Sequence, residues 1–165
     1  MAAKRLTRMA LLTAVALTIL IVELQLPALV PVPGVKPGLA NIITVYAIFT
    51  LGPAEAFCIL LARILLGSMF AGQMMSLLYS LAGGALCFLL MLALRRFLTA
   101  GQIWICSVFG AMAHNVGQIS VAILLTKTPA LLCYLPVLML SGCIAGTLTG
   151  LCAQYVIHRM PPGSI

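Results

Sequence analysis

Residues 110–118 read Gly-Ala-Met-Ala-His-Asn-Val-Gly-Gln and lie in the middle of a long apolar run, from Ile103 to Leu125. A run of this length predicts a transmembrane helix. On a helix, His114 and Gln118 are four residues apart and share one face. Polar groups at membrane depth are costly without partners, so this patch indicates either a functional site or hydrogen bonds that cross-link helices.

The composition around this stretch is that of an integral membrane protein. Of 165 residues, 64% are hydrophobic and only 7% are charged, whereas about a quarter are charged in a soluble domain. The length fits a single transmembrane domain over residues 1–165 in contact with the lipid bilayer. The net charge of +7 does not indicate nucleic-acid binding, because the basic residues are spread over the ends of the apolar segments.

Six apolar segments predict an all-α bundle of six transmembrane helices. Their approximate bounds are Met9–Leu26, Leu39–Leu51, Ala54–Phe70, Met74–Leu94, Ile103–Leu125 and Leu131–Ile157. A full span needs about 20 apolar residues, so the second and third segments are short. They either tilt against their neighbours, or the second is partly re-entrant.

Basic residues predict the orientation of the bundle. One set of segment ends carries six of them, and the opposite set carries only Lys36 and Lys127. The richer set consists of Lys4, Arg5, Arg8, Arg95, Arg96 and Arg159. We therefore expect both termini to be cytoplasmic. The proline-rich segment Pro27–Gly38 is then external, and because it is too apolar to lie free in water, we expect it to fold over the bundle as a lid.

Enzymatic chemistry is poorly supported by the sequence. There is no GxxxxGK[ST] loop for ATP, and without any aspartate an aspartate-rich Mg²⁺–diphosphate site cannot be built. The six cysteines form no CxxC pair and lie mostly in apolar runs, where we expect them to act as small apolar side chains. We therefore predict a chain that is not an enzyme and has no metal site and no cofactor.

A group of polar residues is predicted to converge on the outer half of the bundle and to bind a ligand. These residues are Lys36, Asn41, Arg63, His114, Asn115 and Gln118. Their net positive character favours a small molecule with an anionic or carbonyl-rich part. For Arg63 an internal salt bridge to Glu23 is the alternative, because a guanidinium inside a membrane pairs or faces a cavity.

Two ladders of small residues permit close helix packing. Ala10 and Ala14 lie four apart on the first segment, and Gly142, Gly146 and Gly150 lie four apart on the sixth. Each ladder indicates either packing inside the bundle or a surface for a partner membrane protein.

Several stretches together resemble the Gx transporter family, also labelled heptaprenyl diphosphate synthase component I. They are residues 33–44 (PGVKPGLANIIT), Arg63, residues 78–84 (LYSLAGG) and residues 110–118 (GAMAHNVGQ). Pro37 stands where that family more often has leucine, which can stiffen the lid.

The resemblance implies a fold similar to the substrate-binding S components of energy-coupling-factor transporters in bacterial cell membranes. Those proteins bind small molecules from outside, beneath the loop between the first two helices. A small-residue motif on their first helix, which Ala10 and Ala14 match loosely, contacts a coupling transmembrane protein that carries two ATPases. The resemblance also implies an alternative role, as an accessory subunit in polyprenyl diphosphate or quinone metabolism or in flavin-based extracellular electron transfer.

Overall fold

The computed structural model describes residues 2–25, 38–72 and 74–159, and the regular structure in these ranges is entirely helical. This confirms the predicted all-α bundle. The six α-helices are α1 (Ala2–Gln25), α2 (Asn41–Thr50), α3 (Pro53–Ala71), α4 (Met74–Leu94), α5 (Ile103–Thr126) and α6 (Leu135–Arg159). Short 3₁₀ turns precede α5 and α6, at Ala100–Gln102 and Pro129–Tyr134. Most of the predicted lid, including Lys36, lies outside the described residues.

Glycine and proline set the helix boundaries between α2 and the end of α3. Gly52 has a φ of 122°, which favours glycine, and Pro53 begins α3, where its missing N–H is not needed. Gly72 ends α3 in the left-handed conformation, with a φ of 64°, as glycine commonly does after a helix. The predicted bounds of α1 and α6 were less accurate, because α1 begins at Ala2 and α6 begins only at Leu135, beside Pro136.

Five of the described helices are long and apolar enough to cross a membrane, and the chain is therefore a multi-pass membrane protein. The exception is α2, whose 10 residues extend about 15 Å at about 1.5 Å per residue. Many large apolar side chains elsewhere are exposed, such as Leu89 and Leu140. Exposed leucines of this kind suit a surface solvated by lipid.

The short helix α2 lies at the centre of the bundle. It contacts every other α-helix of the structure, and its contacts with α6 and α3 are the most extensive. Val45, Ala47 and Ile48 are fully buried, so packing against protein replaces contact with lipid along most of its length. Asn41 is its first residue and is also buried, which places a polar side chain inside the bundle.

Small residues let α4, α5 and α6 pack closely. A Cβ atom on Gly117 would lie 2.7 Å from the carbonyl oxygen of Ala82 in α4. In α6, Cβ atoms on Gly146 and Gly150 would lie 2.7 Å from Val108 and 2.6 Å from Trp104 of α5, respectively. The glycine ladder of α6 therefore serves packing inside the bundle, and of its two interpretations the internal one is correct.

A salt bridge between Arg5 and Glu55 joins the first turns of α1 and α3. Glu55 is buried, whereas Arg5 is exposed. The carboxylate also lies at the N-terminus of α3, where a negative charge suits the helix dipole. Glu55 therefore has a structural partner within the chain.

Candidate functional site

A cavity of about 40 Å³ lies inside the bundle, between residues of five helices. Its lining comprises Leu20 and Glu23 of α1, Gly38, Asn41 of α2, Arg63 and Ile64 of α3, Ser80 of α4, and His114 and Gln118 of α5. Four of the residues predicted to bind a ligand, Asn41, Arg63, His114 and Gln118, are thus brought together in space.

Arg63 is the cationic side chain among the described residues of this lining. Its Nη2 donates a hydrogen bond to Oδ1 of Asn41 at 3.2 Å. Its Nε has no hydrogen-bond partner within the described part of the chain, although the residue is only 7% exposed. A buried N–H without a partner costs free energy unless a bound molecule or an ordered water accepts its hydrogen bond.

Glu23 lines the same cavity, but its carboxylate is hydrogen-bonded to the backbone of Gly38. Its Oε1 accepts a hydrogen bond from the N–H of Gly38 at 2.5 Å. Gly38 has a φ of 74°, and a Cβ atom there would lie 3.0 Å from Nδ2 of Asn41, so both its conformation and the available space favour glycine. The predicted alternative, a Glu23–Arg63 salt bridge, is not formed among the described residues, where the one salt bridge joins Arg5 and Glu55.

His114 and Gln118 occupy successive turns of one face of α5. Nδ1 of His114 and Oε1 of Gln118 are buried and make no hydrogen bond of regular geometry among the residues that the structure describes, although the imidazole also interacts with the backbone of Gly83. Gly83 of α4 packs against the imidazole, because a Cβ atom on it would lie 2.9 Å from Nδ1. The glycine therefore lets α4 approach closely enough to fix the position of the ring.

Asn115, also predicted to bind the ligand, is not part of the cavity lining. Its Nδ2 donates a hydrogen bond to the carbonyl oxygen of Leu138 in α6 at 2.6 Å. The same amide nitrogen lies against Gly142. Adjacent residues of an α-helix point about 100° apart, so Asn115 cross-links α5 and α6 while its neighbour His114 lines the cavity.

Sequence reasoning missed Ser80 and Gly38 as lining residues, and it considered Glu23 only as a partner for Arg63. Both missed residues lie within stretches that carry the family resemblance, residues 78–84 and 33–44. That resemblance was the available signal for them. Lys36, predicted to cover the ligand, lies outside the described residues.

The predicted partner-binding residues Ala10 and Ala14 are both exposed on α1. They lie apart from the cavity lining, whose α1 residues are Leu20 and Glu23. Within the described residues, no three His, Cys, Asp or Glu side chains are grouped so as to hold a metal ion. Cys87 and Cys106 are buried, and all six cysteines are free.

A bundle of long apolar helices around a cavity with several buried polar side chains in its lining defines a multi-pass α-helical membrane protein with a candidate ligand site. The family model described as heptaprenyl diphosphate synthase component I matches residues 12–156, and the chain belongs to this family. The resemblance to this family is thereby confirmed, and the likeness to S components stays a prediction. No curated protein and no solved structure matches the chain.

Proposed function

We propose that the chain is a membrane-embedded, S-component-like subunit that binds a small molecule for uptake, with energy supplied by a partner ATPase module. One observation carries this proposal: three buried polar atoms without partners in the described residues belong to side chains that line one cavity. Polar groups that only cross-link helices are paired, as Asn115 is with Leu138. A bound molecule supplies the missing hydrogen bonds of Arg63, His114 and Gln118.

A second candidate function is an accessory membrane subunit in polyprenyl diphosphate or quinone metabolism or in flavin-based extracellular electron transfer. The family description, component I of a synthase, favours this candidate because it implies a second component. The chain contains no aspartate, so an aspartate-rich Mg²⁺–diphosphate site would have to belong to that second component. In both candidates the chain itself is not the enzyme.

The partner surface in the transport candidate is the exposed face of α1 around Ala10 and Ala14. Two small side chains one turn apart allow the backbone of a coupling transmembrane protein to approach closely. The membrane is then the plasma membrane of a bacterium, with both termini cytoplasmic and the cavity toward the outside, as the basic residues predict.

Native mass spectrometry of the purified protein tests ligand binding. We expect a co-purifying small molecule in the wild type, its loss in Arg63→Met, and its retention in Ser120→Ala. Ser120 is a suitable control because it is exposed on α5 and its hydroxyl bonds the carbonyl oxygen of Val116. Equal occupancy in the wild type and Arg63→Met would contradict a site at this cavity.

Affinity purification from the native membrane separates the two candidates. Recovery of an ATPase module, lost when Ala10 and Ala14 are both changed to Trp, supports uptake. Recovery of a prenyl-synthase subunit or a quinone-linked enzyme instead supports the accessory role. The Trp variants should retain ligand, because the two alanines lie apart from the cavity lining.

A further inference from the structure

The three unpartnered atoms of the cavity differ in hydrogen-bonding type. Nε of Arg63 can only donate, and Oε1 of Gln118 can only accept. Nδ1 of His114 takes either role, depending on its tautomer. A ligand that satisfies all three must therefore present at least one acceptor and one donor in the same small volume.

The charges around the cavity are balanced among the described residues. Arg63 contributes one positive charge and Glu23 one negative charge, and the other described lining residues are uncharged. A carboxylate or phosphate would pair with Arg63, but it would also face the like charge of Glu23. It would leave Oε1 of Gln118 without a donor. These features favour an uncharged ligand over an anion.

Size and apolar contacts restrict the ligand further. A cavity of about 40 Å³ holds about three ordered waters at roughly 10–15 Å³ each, which suits the edge of one ring. Leu20 and Ile64 belong to the lining and offer apolar contact to ring faces. In a ring, an amide is held cis, so that its carbonyl and its N–H lie on the same edge.

We propose that this cavity recognises the cyclic amide edge of an uncharged heterocycle, whose carbonyl accepts from Nε of Arg63 and whose ring N–H donates to Oε1 of Gln118. His114 then bonds a second polar atom of the same ring. This inference rests on the proposed ligand-binding function and specifies the chemical class of the ligand. Of the two predicted ligand characters, anionic or carbonyl-rich, it selects the carbonyl-bearing one.

Three small probes distinguish these chemistries in titrations of the full-length protein in detergent, followed by saturation-transfer NMR. Uracil carries the cyclic amide edge. In 1,3-dimethyluracil both carbonyls remain but the ring N–H groups are methylated. Benzoate is a planar anion of similar size. We expect uracil to bind the wild type and 1,3-dimethyluracil and benzoate to bind at least tenfold more weakly.

Substitutions of Gln118 and Arg63 test whether these two side chains bind uracil. Gln118→Leu and Arg63→Met should each weaken uracil binding at least tenfold, whereas Ser120→Ala should leave it unchanged. The melting temperature of each variant shows that it is folded. If Gln118→Leu fails to fold, the comparison of uracil with 1,3-dimethyluracil on the wild type still decides the role of the N–H donor.

Two results would overturn this inference, and they have different consequences for the proposed ligand-binding function. Benzoate binding more tightly than uracil, and depending on Arg63, would show an anion site and leave ligand binding intact. Absence of binding by all three probes would exclude the cyclic amide edge, and the co-purified molecule in native mass spectrometry would then decide separately whether the protein binds a ligand.

Discussion

The carboxylate of Glu23 and the backbone N–H of Gly38 are joined by a hydrogen bond of 2.5 Å, although the two residues are 15 positions apart. Glu23 lies in the last turn of α1, and Gly38 lies just before α2. Both residues line the cavity, beside the Arg63–Asn41 hydrogen bond. The bond therefore fixes the chain that enters the central helix, and with it the position of Asn41.

Replacement of Glu23 should lower stability, and the loss should be smaller when the new side chain keeps an acceptor oxygen. Hydrogen bonds to charged groups contribute about 1.5–3 kcal/mol, so we expect Glu23→Ala to lower the free energy of unfolding by about that amount. Glu23→Gln keeps an acceptor oxygen and should lose less than half as much. Unfolding curves in detergent measure both changes, and equal losses would show that the Gly38 contact contributes little.

Arg63→Met should abolish ligand binding with little change in stability. The substitution loses the hydrogen bond to Asn41, which is worth about 1 kcal/mol, but it also removes an incompletely paired buried charge. We expect a net change in the free energy of unfolding within about 1 kcal/mol. Melting curves and ligand titrations of the same preparation measure the two effects.

The opposite outcome for Arg63 would be equally clear. A loss of about 3–5 kcal/mol, the usual cost of breaking a buried ion pair, would indicate that Arg63 is paired structurally. Recovery of that loss in the Glu23→Gln, Arg63→Met double variant would identify Glu23 as the partner. The ligand-binding role of Arg63 would then be wrong.

Two neighbours on α5 should behave differently. Asn115→Ala removes the 2.6 Å bond to the carbonyl oxygen of Leu138 and should destabilise the protein by roughly 0.6–2 kcal/mol, the range for polar contacts between membrane helices. It should leave ligand affinity unchanged. His114→Ala should instead weaken ligand binding at least tenfold. Similar binding losses in both variants would contradict the separation of these residues.

The fold was largely predictable because apolar segments and helix-breaking residues are local signals. Gly52 and Pro53 mark the boundary between α2 and α3 in the sequence as they do in the structure. The central position of α2 was not predictable, because a short apolar segment fits either a tilted helix or a re-entrant one. Its contacts with all other helices arise from tertiary packing.

The sequence predicted which residues lie at the candidate site better than it predicted the direction and partner of each side chain. His114 and Gln118 share a helical face by their spacing, and both line the cavity. Asn115 has the same chemistry and depth, but its direction follows from helix rotation relative to α6, which the sequence does not specify. Likewise, whether the Glu23 carboxylate pairs with Arg63 or accepts a hydrogen bond from the N–H of Gly38 depends on the backbone path before α2.

Gly117 should be intolerant of larger side chains. A Cβ atom there would lie 2.7 Å from the carbonyl oxygen of Ala82 and 2.8 Å from the Cα atom of Gly83, which are backbone atoms of α4. We expect Gly117→Ala to lower stability by about 1–3 kcal/mol, as overpacking does. Gly101→Ala is the matched control, because a Cβ there meets nothing within 4 Å. Equal melting temperatures of the two variants would show that α4 and α5 can move apart at little cost in stability.

Cysteine labelling in intact cells tests the predicted orientation, on which access to the cavity depends. In a background where all six native cysteines are replaced, single cysteines are placed at Thr128, after α5, and at Arg96, after α4; both positions are exposed. The excess of basic residues around Arg96 predicts that this position is cytoplasmic. A membrane-impermeant maleimide should therefore label the cysteine at position 128 in intact cells and the one at position 96 only after permeabilisation. The reverse pattern would place both termini outside and open the Glu23 end of the bundle to the cytoplasm, which is incompatible with uptake of a ligand from outside through this cavity.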